Sequence, residues 1–138
     1  MSATTMQSIR LTSIGRARSR ALGVAGAVLA AVAVWSVAVP ILGISLVIRF
    51  GNTAPQGVGL PAVAGGSLVL SLLGLGLLVG LEKLSANARS IWTIVAAVAL
   101  VASMGLPVVA ATTQGTMGAL ALMHVAAAAV LIPALRRR

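Results

Sequence analysis

The chain has one histidine, one acidic residue and no cysteine among its 138 residues. Side chains able to do acid–base or metal chemistry are therefore few enough to test one by one. A catalytic zinc needs three protein ligands and a structural one four, and no carboxylate or thiolate lies in the spans to help His124, so the residues predict no metal or cofactor unless a homodimer shares the site. A hydrolase needs a nucleophile, a base and a group that orients the base. Ser71 or Ser103 with His124 would supply the first two, but Glu82, the sole carboxylate, is far along the chain from each partner. No enzyme is expected. His124 keeps two readings: a neutral, hydrogen-bonded structural residue, or a working proton acceptor or ligand contact.

Spacing from the nearest charge gives these residues a depth. Ser71 is 11 residues before Glu82, Ser103 is 14 after Arg89, and His124 is 12 before Arg136. At a helical rise of 1.5 Å these offsets come to about 16 to 21 Å. All three fall near the middle of a ~30 Å hydrocarbon core. The expectation is a polar layer of His124, Ser103 and Ser71, with the imidazole N–H bonded to a serine hydroxyl or to Ser103's carbonyl. That carbonyl is freed because Pro107, four residues on, has no N–H to donate. "SVAVP" (Ser36 to Pro40) repeats the spacing of "SMGLP" (Ser103 to Pro107), so Pro40 and Pro107 are both expected to break helices.

The elements that position these residues follow from where charge is missing. Hydrophobic residues make up 59% and charged residues 8% of the chain, and mean hydropathy is +1.11. A soluble domain carries roughly 25% charged residues, so the class is integral membrane protein. The spans are expected at about 21–48, 60–81, 91–111 and 117–135. A basic tail (1–20) precedes this four-helix domain (21–135), and a basic end (136–138) follows it. The tail reads either as disordered or as a short interfacial helix using Met6, Ile9 and Ile14. The first apolar run exceeds the 7–15 residues of a secretory-signal core, which favours a retained span. "RFGNTAPQG" (49 to 57) carries turn residues, and Pro61 suits the first turn of the second helix. Ser85 and Asn87 are credible caps between the second and third spans. "ATTQGT" (111 to 116) is the polar break that lets the last uncharged stretch fold back.

Four helices place both chain ends on one side. Of ten basic residues, nine fall on that side, and Arg49 alone falls on the other. Loop arginines and lysines favour the cytoplasm, so the bundle is expected N-in/C-in in a bacterial plasma membrane. The net charge of +9 then reads as contact with anionic headgroups, at about 1 kcal/mol per basic residue. It does not read as nucleic-acid binding, because aromatic residues for base stacking are nearly absent. Glu82 and Arg89 are interface charges, Glu82 being expected to pair with Arg89, Lys83 or a tail arginine. Trp92 suits the inner interface belt, Phe50 the outer one, and Trp35 a packing role in mid-span. Gly76 and Gly80 on the second span have the small-xxx-small spacing of helix–helix contacts.

The stretches "LEKLSANARSIWTIVA", "SMGLP" and "LALMHVAAAAVLIPALRR" carry a resemblance. Their order is an acid closing the second helix, Arg-x-x-Trp opening the third, Ser-x-x-x-Pro within it, and a Leu-x-x-x-His…Pro-x-Leu-Arg ending. The chain resembles a family of small four-helix membrane proteins from actinobacteria whose function is unassigned. The second half carries the match, and the first half agrees only in layout. The resemblance implies the four-span fold and brings no activity, cofactor or site. The functional expectation is a non-enzymatic membrane protein, an accessory or structural subunit that packs against copies of itself or another membrane subunit. The alternative is a small oligomeric transporter or channel subunit built around His124.

Overall fold

The computed structural model describes residues 3–136, with side chains from residue 14 onward. Its helices are α1 (Ala3–Ala38), α2 (Leu60–Leu84), α3 (Ala88–Ser103), α4 (Gly105–Ala110) and α5 (Gln114–Arg136), with two-residue strands β1 (Val47–Ile48) and β2 (Gln56–Gly57) between α1 and α2. Four stretches are long and apolar enough to cross a membrane: Ile14–Ala38, Leu60–Leu84, Ala88–Ala110 and Gln114–Arg136. At 23 to 25 residues each, they reach about 34 to 38 Å, more than one hydrocarbon core. The fold is an all-α four-helix bundle.

Around the bundle, α1 packs on α2 and α5, and α3 packs on the same two helices from the other side. Apolar surface is no driving force between helices in lipid, so close packing and hydrogen bonds must hold them. The α1–α5 seam has the closest approach. A Cβ on Gly23 would lie 2.8 Å from Ala134 Cβ, and one on Gly26 would lie 3.0 Å from Val130 Cγ1. Ala27 and Ala31, one and two turns on, are fully buried on the same stripe. The small-residue contact therefore forms on α1. Nothing lies within 4 Å of a Cβ built on Gly76 or Gly80.

Several boundaries differ from expectation. The first helix stops at Ala38 rather than running to 48. Pro40 ends it rather than bending it, because proline disfavours the helical region for the residue before it. Gly43 then takes φ +64°, and Leu42 N–H and Ile44 N–H bond back to the Val37 and Ala38 carbonyls. At the other end the helix begins at Ala3, so most of the basic tail continues α1. Met1, Ser2, Arg137 and Arg138 lie outside the described residues. The third span is divided at Met104, between α3 and α4, three residues before Pro107, and Met104 itself keeps helical angles and its bond to the Leu100 carbonyl. The second helix extends to Leu84 and the third begins at Ala88. The fourth begins at Gln114 because Thr113 caps it, Thr113 Oγ1 accepting from Thr116 N–H at 3.1 Å.

The apolar segment after α1 closes one end of the bundle. β1 pairs antiparallel with β2, and Ile48 bridges to Ala111. Buried Thr116 donates its hydroxyl to the Ser45 carbonyl at 2.9 Å, and Trp35 Nε1–H donates to the Val58 carbonyl at 3.0 Å. Trp35 thus packs against the core, as expected, but near the end of its span rather than in its middle, where it also ties α1 to the residue after β2. Phe50 is half exposed on the hairpin. The opposite end holds Arg20, Glu82, Lys83, Arg89 and Arg136, while Arg49 follows β1 on the hairpin.

Candidate functional site

A cavity of about 600 Å³ lies between α2, α3 and α5. Ser71, Ser103 and His124 all line it, as does Ser67, one turn before Ser71. The rest of its wall is hydrocarbon, with Trp92, Met123 and the alanines of α5 prominent. Ser71, Trp92 and Met123 are buried, at 3%, 2% and 5% exposure. Leu70, Leu73, Leu77 and Val95 also line it and are exposed. The cavity is therefore open between α2 and α3, on the outer surface of the bundle.

The hydrogen bonds differ from those expected across the layer. His124 Nδ1 lies 2.7 Å from the Leu120 carbonyl, one turn back on its own helix. A carbonyl only accepts, so this bond places a proton on Nδ1, and the Nδ1–H tautomer carries its lone pair on Nε2. Ser103 donates its hydroxyl to the Leu100 carbonyl at 2.7 Å, again within its own helix. The imidazole N–H thus serves neither a serine hydroxyl nor the Ser103 carbonyl. In an apolar medium a nearby backbone carbonyl is the least costly partner, since meeting it moves no second helix. Among the described residues no group of three His, Cys, Asp or Glu side chains stands together that could hold a metal.

Trp92 sets one end of the cavity. Sequence position suggested an interfacial belt residue, but the indole is buried with Leu78 and Leu135. Its Nε1–H donates to the Gly74 carbonyl at 2.7 Å, joining α3 to α2. Its register on α3 turns it inward, and hydropathy does not carry that information.

The charged end is tied across three helices. Arg20 Nη2 lies 2.6 Å from both oxygens of Glu82, and Arg89 Nη2 lies 3.6 Å from Oε1. Arg20 was among the tail arginines expected to reach Glu82, and Arg89 is the weaker partner. The Nε of Arg89 is enclosed with no hydrogen-bond partner among the described residues. A hydrogen bond between two ionised groups is stronger than one between neutral groups.

Four helices long and apolar enough to cross a membrane, with most of the charge gathered at one end, define a small helical membrane protein. Residues 12–138 match the model of a family of unknown function, DUF6069, and the chain belongs to that family. Comparison with curated proteins and with solved structures gives no match.

Proposed function

We propose that this protein is a non-enzymatic subunit of the bacterial plasma membrane, with both termini cytoplasmic, acting through helix packing as an accessory or structural component. One observation carries this reading. Gly76 and Gly80 stand four residues apart on α2 with open space at both Cβ positions. Small residues at that spacing let a second backbone approach closely in lipid, while the intramolecular glycine contact is made elsewhere, by α1. A second copy of the chain, or a helix of another membrane subunit, is the partner in this reading. The nine-to-one distribution of basic residues supports the orientation, and anionic headgroups on the cytoplasmic side are the lipid partner.

The test uses the absence of native cysteine. Gly76→Cys and Gly80→Cys, each as a single cysteine in native membranes, are treated with an oxidant and with a short bismaleimide. Capture of a second copy or of a defined membrane protein, with none from a cysteine at exposed Leu68 on another face of α2, supports the reading. Uniform capture or none contradicts it.

The cavity favours a second reading, a small oligomeric transporter or channel subunit with His124 on the pathway. Flux of protons or solute in proteoliposomes, abolished in His124→Ala at normal folded yield, would replace the packing reading with this one.

A further inference from the structure

The cavity between α2, α3 and α5 has a chemical bias independent of either reading above. Two of its polar side chains, His124 and Ser103, are committed in one direction, while Ser67 and Ser71 keep a hydroxyl proton to give. His124 spends its N–H on Leu120, and Ser103 spends its hydroxyl proton on Leu100, at 2.7 Å each. What remains on both side chains is lone pairs, on His124 Nε2 and Ser103 Oγ. Ser71, buried on the facing helix, can donate or accept. An acceptor with no donor in hydrocarbon is costly, because no water is there to fill it.

Shape and access point the same way. About 600 Å³ is within the range of small-molecule sites, which are largely apolar with a few placed polar groups. The opening between α2 and α3 is rimmed by Leu70, Leu73, Leu77 and Val95, side chains that would face lipid. A ligand would enter sideways from the bilayer, where only lipid-soluble molecules are concentrated.

We propose that this cavity is a binding site for a lipid-soluble alcohol or phenol, a mostly hydrocarbon molecule whose single hydroxyl donates to His124 Nε2. An ether of the same size would fill the apolar wall but bring no donor for His124 Nε2, and would bind more weakly. A neutral hydrogen bond typically separates such a pair by about three- to tenfold.

The probes are a diazirine-bearing sixteen-carbon alcohol and its methyl ether, photolysed with the full-length protein in phosphatidylethanolamine–phosphatidylglycerol vesicles. Adducts are mapped by mass spectrometry. The expected result is alcohol labelling concentrated on 67–77 of α2 and 120–132 of α5, several-fold above the ether. His124→Leu should lower alcohol labelling to the ether's level. His124→Gln, which keeps an acceptor, should retain part of the difference. Ala127→Phe, which fills the cavity, should remove labelling by both probes there. Equal labelling of the parent by the two probes overturns the proposal, and so does labelling spread evenly over all outward faces. A cavity protected from both probes, with chain-to-chain crosslinks in its place, means that a second copy fills it and also overturns the proposal. If His124→Leu does not fold, the alcohol-to-ether ratio in the parent and in His124→Gln decides.

Discussion

Arg20 and Glu82 are 62 residues apart in sequence, and one guanidinium nitrogen of Arg20 lies 2.6 Å from both carboxylate oxygens. The contact joins the start of the first apolar crossing to the end of the second. Arg89, 3.6 Å from the same carboxylate, adds the start of the third. Both side chains of the Arg20–Glu82 pair are mostly covered, at 20% and 27% exposure. Removing the carboxylate leaves two arginines facing each other with no counter-charge. Glu82→Gln should therefore destabilise the protein by about 1–2 kcal/mol. Arg20→Lys should cost less, since an ammonium keeps the charge and the contact is made through one nitrogen. Unfolding midpoints in mixed micelles measure both, and equal stability of parent and Glu82→Gln would contradict the assignment.

Trp92 gives a second prediction. Its indole N–H is held by the Gly74 carbonyl at 2.7 Å inside the bundle. Trp92→Phe keeps most of the apolar contact and removes the donor, so the expected loss is about 1 kcal/mol. Trp92→Ala also opens a void beside Leu78 and Leu135 and should cost about 3 kcal/mol or more. An interface-belt tryptophan would behave otherwise. Quenching by lipids brominated at the headgroup end of the chain should be weak for Trp92 in a Trp35→Phe background, and strong quenching would place it in the belt.

The α1–α5 seam gives a third. A side chain at Gly23 meets Ala134 Cβ at 2.8 Å, nearer than real Cβ atoms approach. Gly23→Leu should force the two helices apart and sharply lower the folded yield in detergent. Gly80→Leu, with open space around it, should leave the yield of the isolated chain unchanged. Similar yields for the two variants would mean that the close contact lies elsewhere.

Much of the architecture was legible because lipid leaves so few choices. Uncharged runs of about 20 residues separated by Arg, Lys and Glu set the number of crossings, and "ATTQGT" divided the last one. The division of the third span near Pro107 was legible because proline acts on a carbonyl at a fixed offset. Pro40 obeys the same chemistry, yet residues 39 to 48 are as apolar as a span, so hydropathy extended the first helix over a segment that instead closes the end of the bundle. The depths of Ser71, Ser103 and His124 came from counting residues, and the three do line one cavity. Their hydrogen bonds were not legible. A carbonyl one turn away competes with every cross-helix partner, and sequence does not rank them. The choice between Gly23 and Gly76 as the contact glycine was equally hidden. Both patterns are small and periodic, and only the rotation of each helix about its axis separates them.

Orientation is the claim on which the sidedness of the charged end and of the hairpin depends. The chain has no native cysteine, so Asn52→Cys on the hairpin side and Asn87→Cys between α2 and α3 can each be the only thiol. Both are treated in intact cells with a membrane-impermeant maleimide, before and after permeabilisation. Labelling of Asn52→Cys in intact cells, and of Asn87→Cys only after permeabilisation, is the result that arginine placement predicts. Labelling of Asn87→Cys from outside, or of both positions from the same side, would contradict the four-crossing, both-ends-inside arrangement.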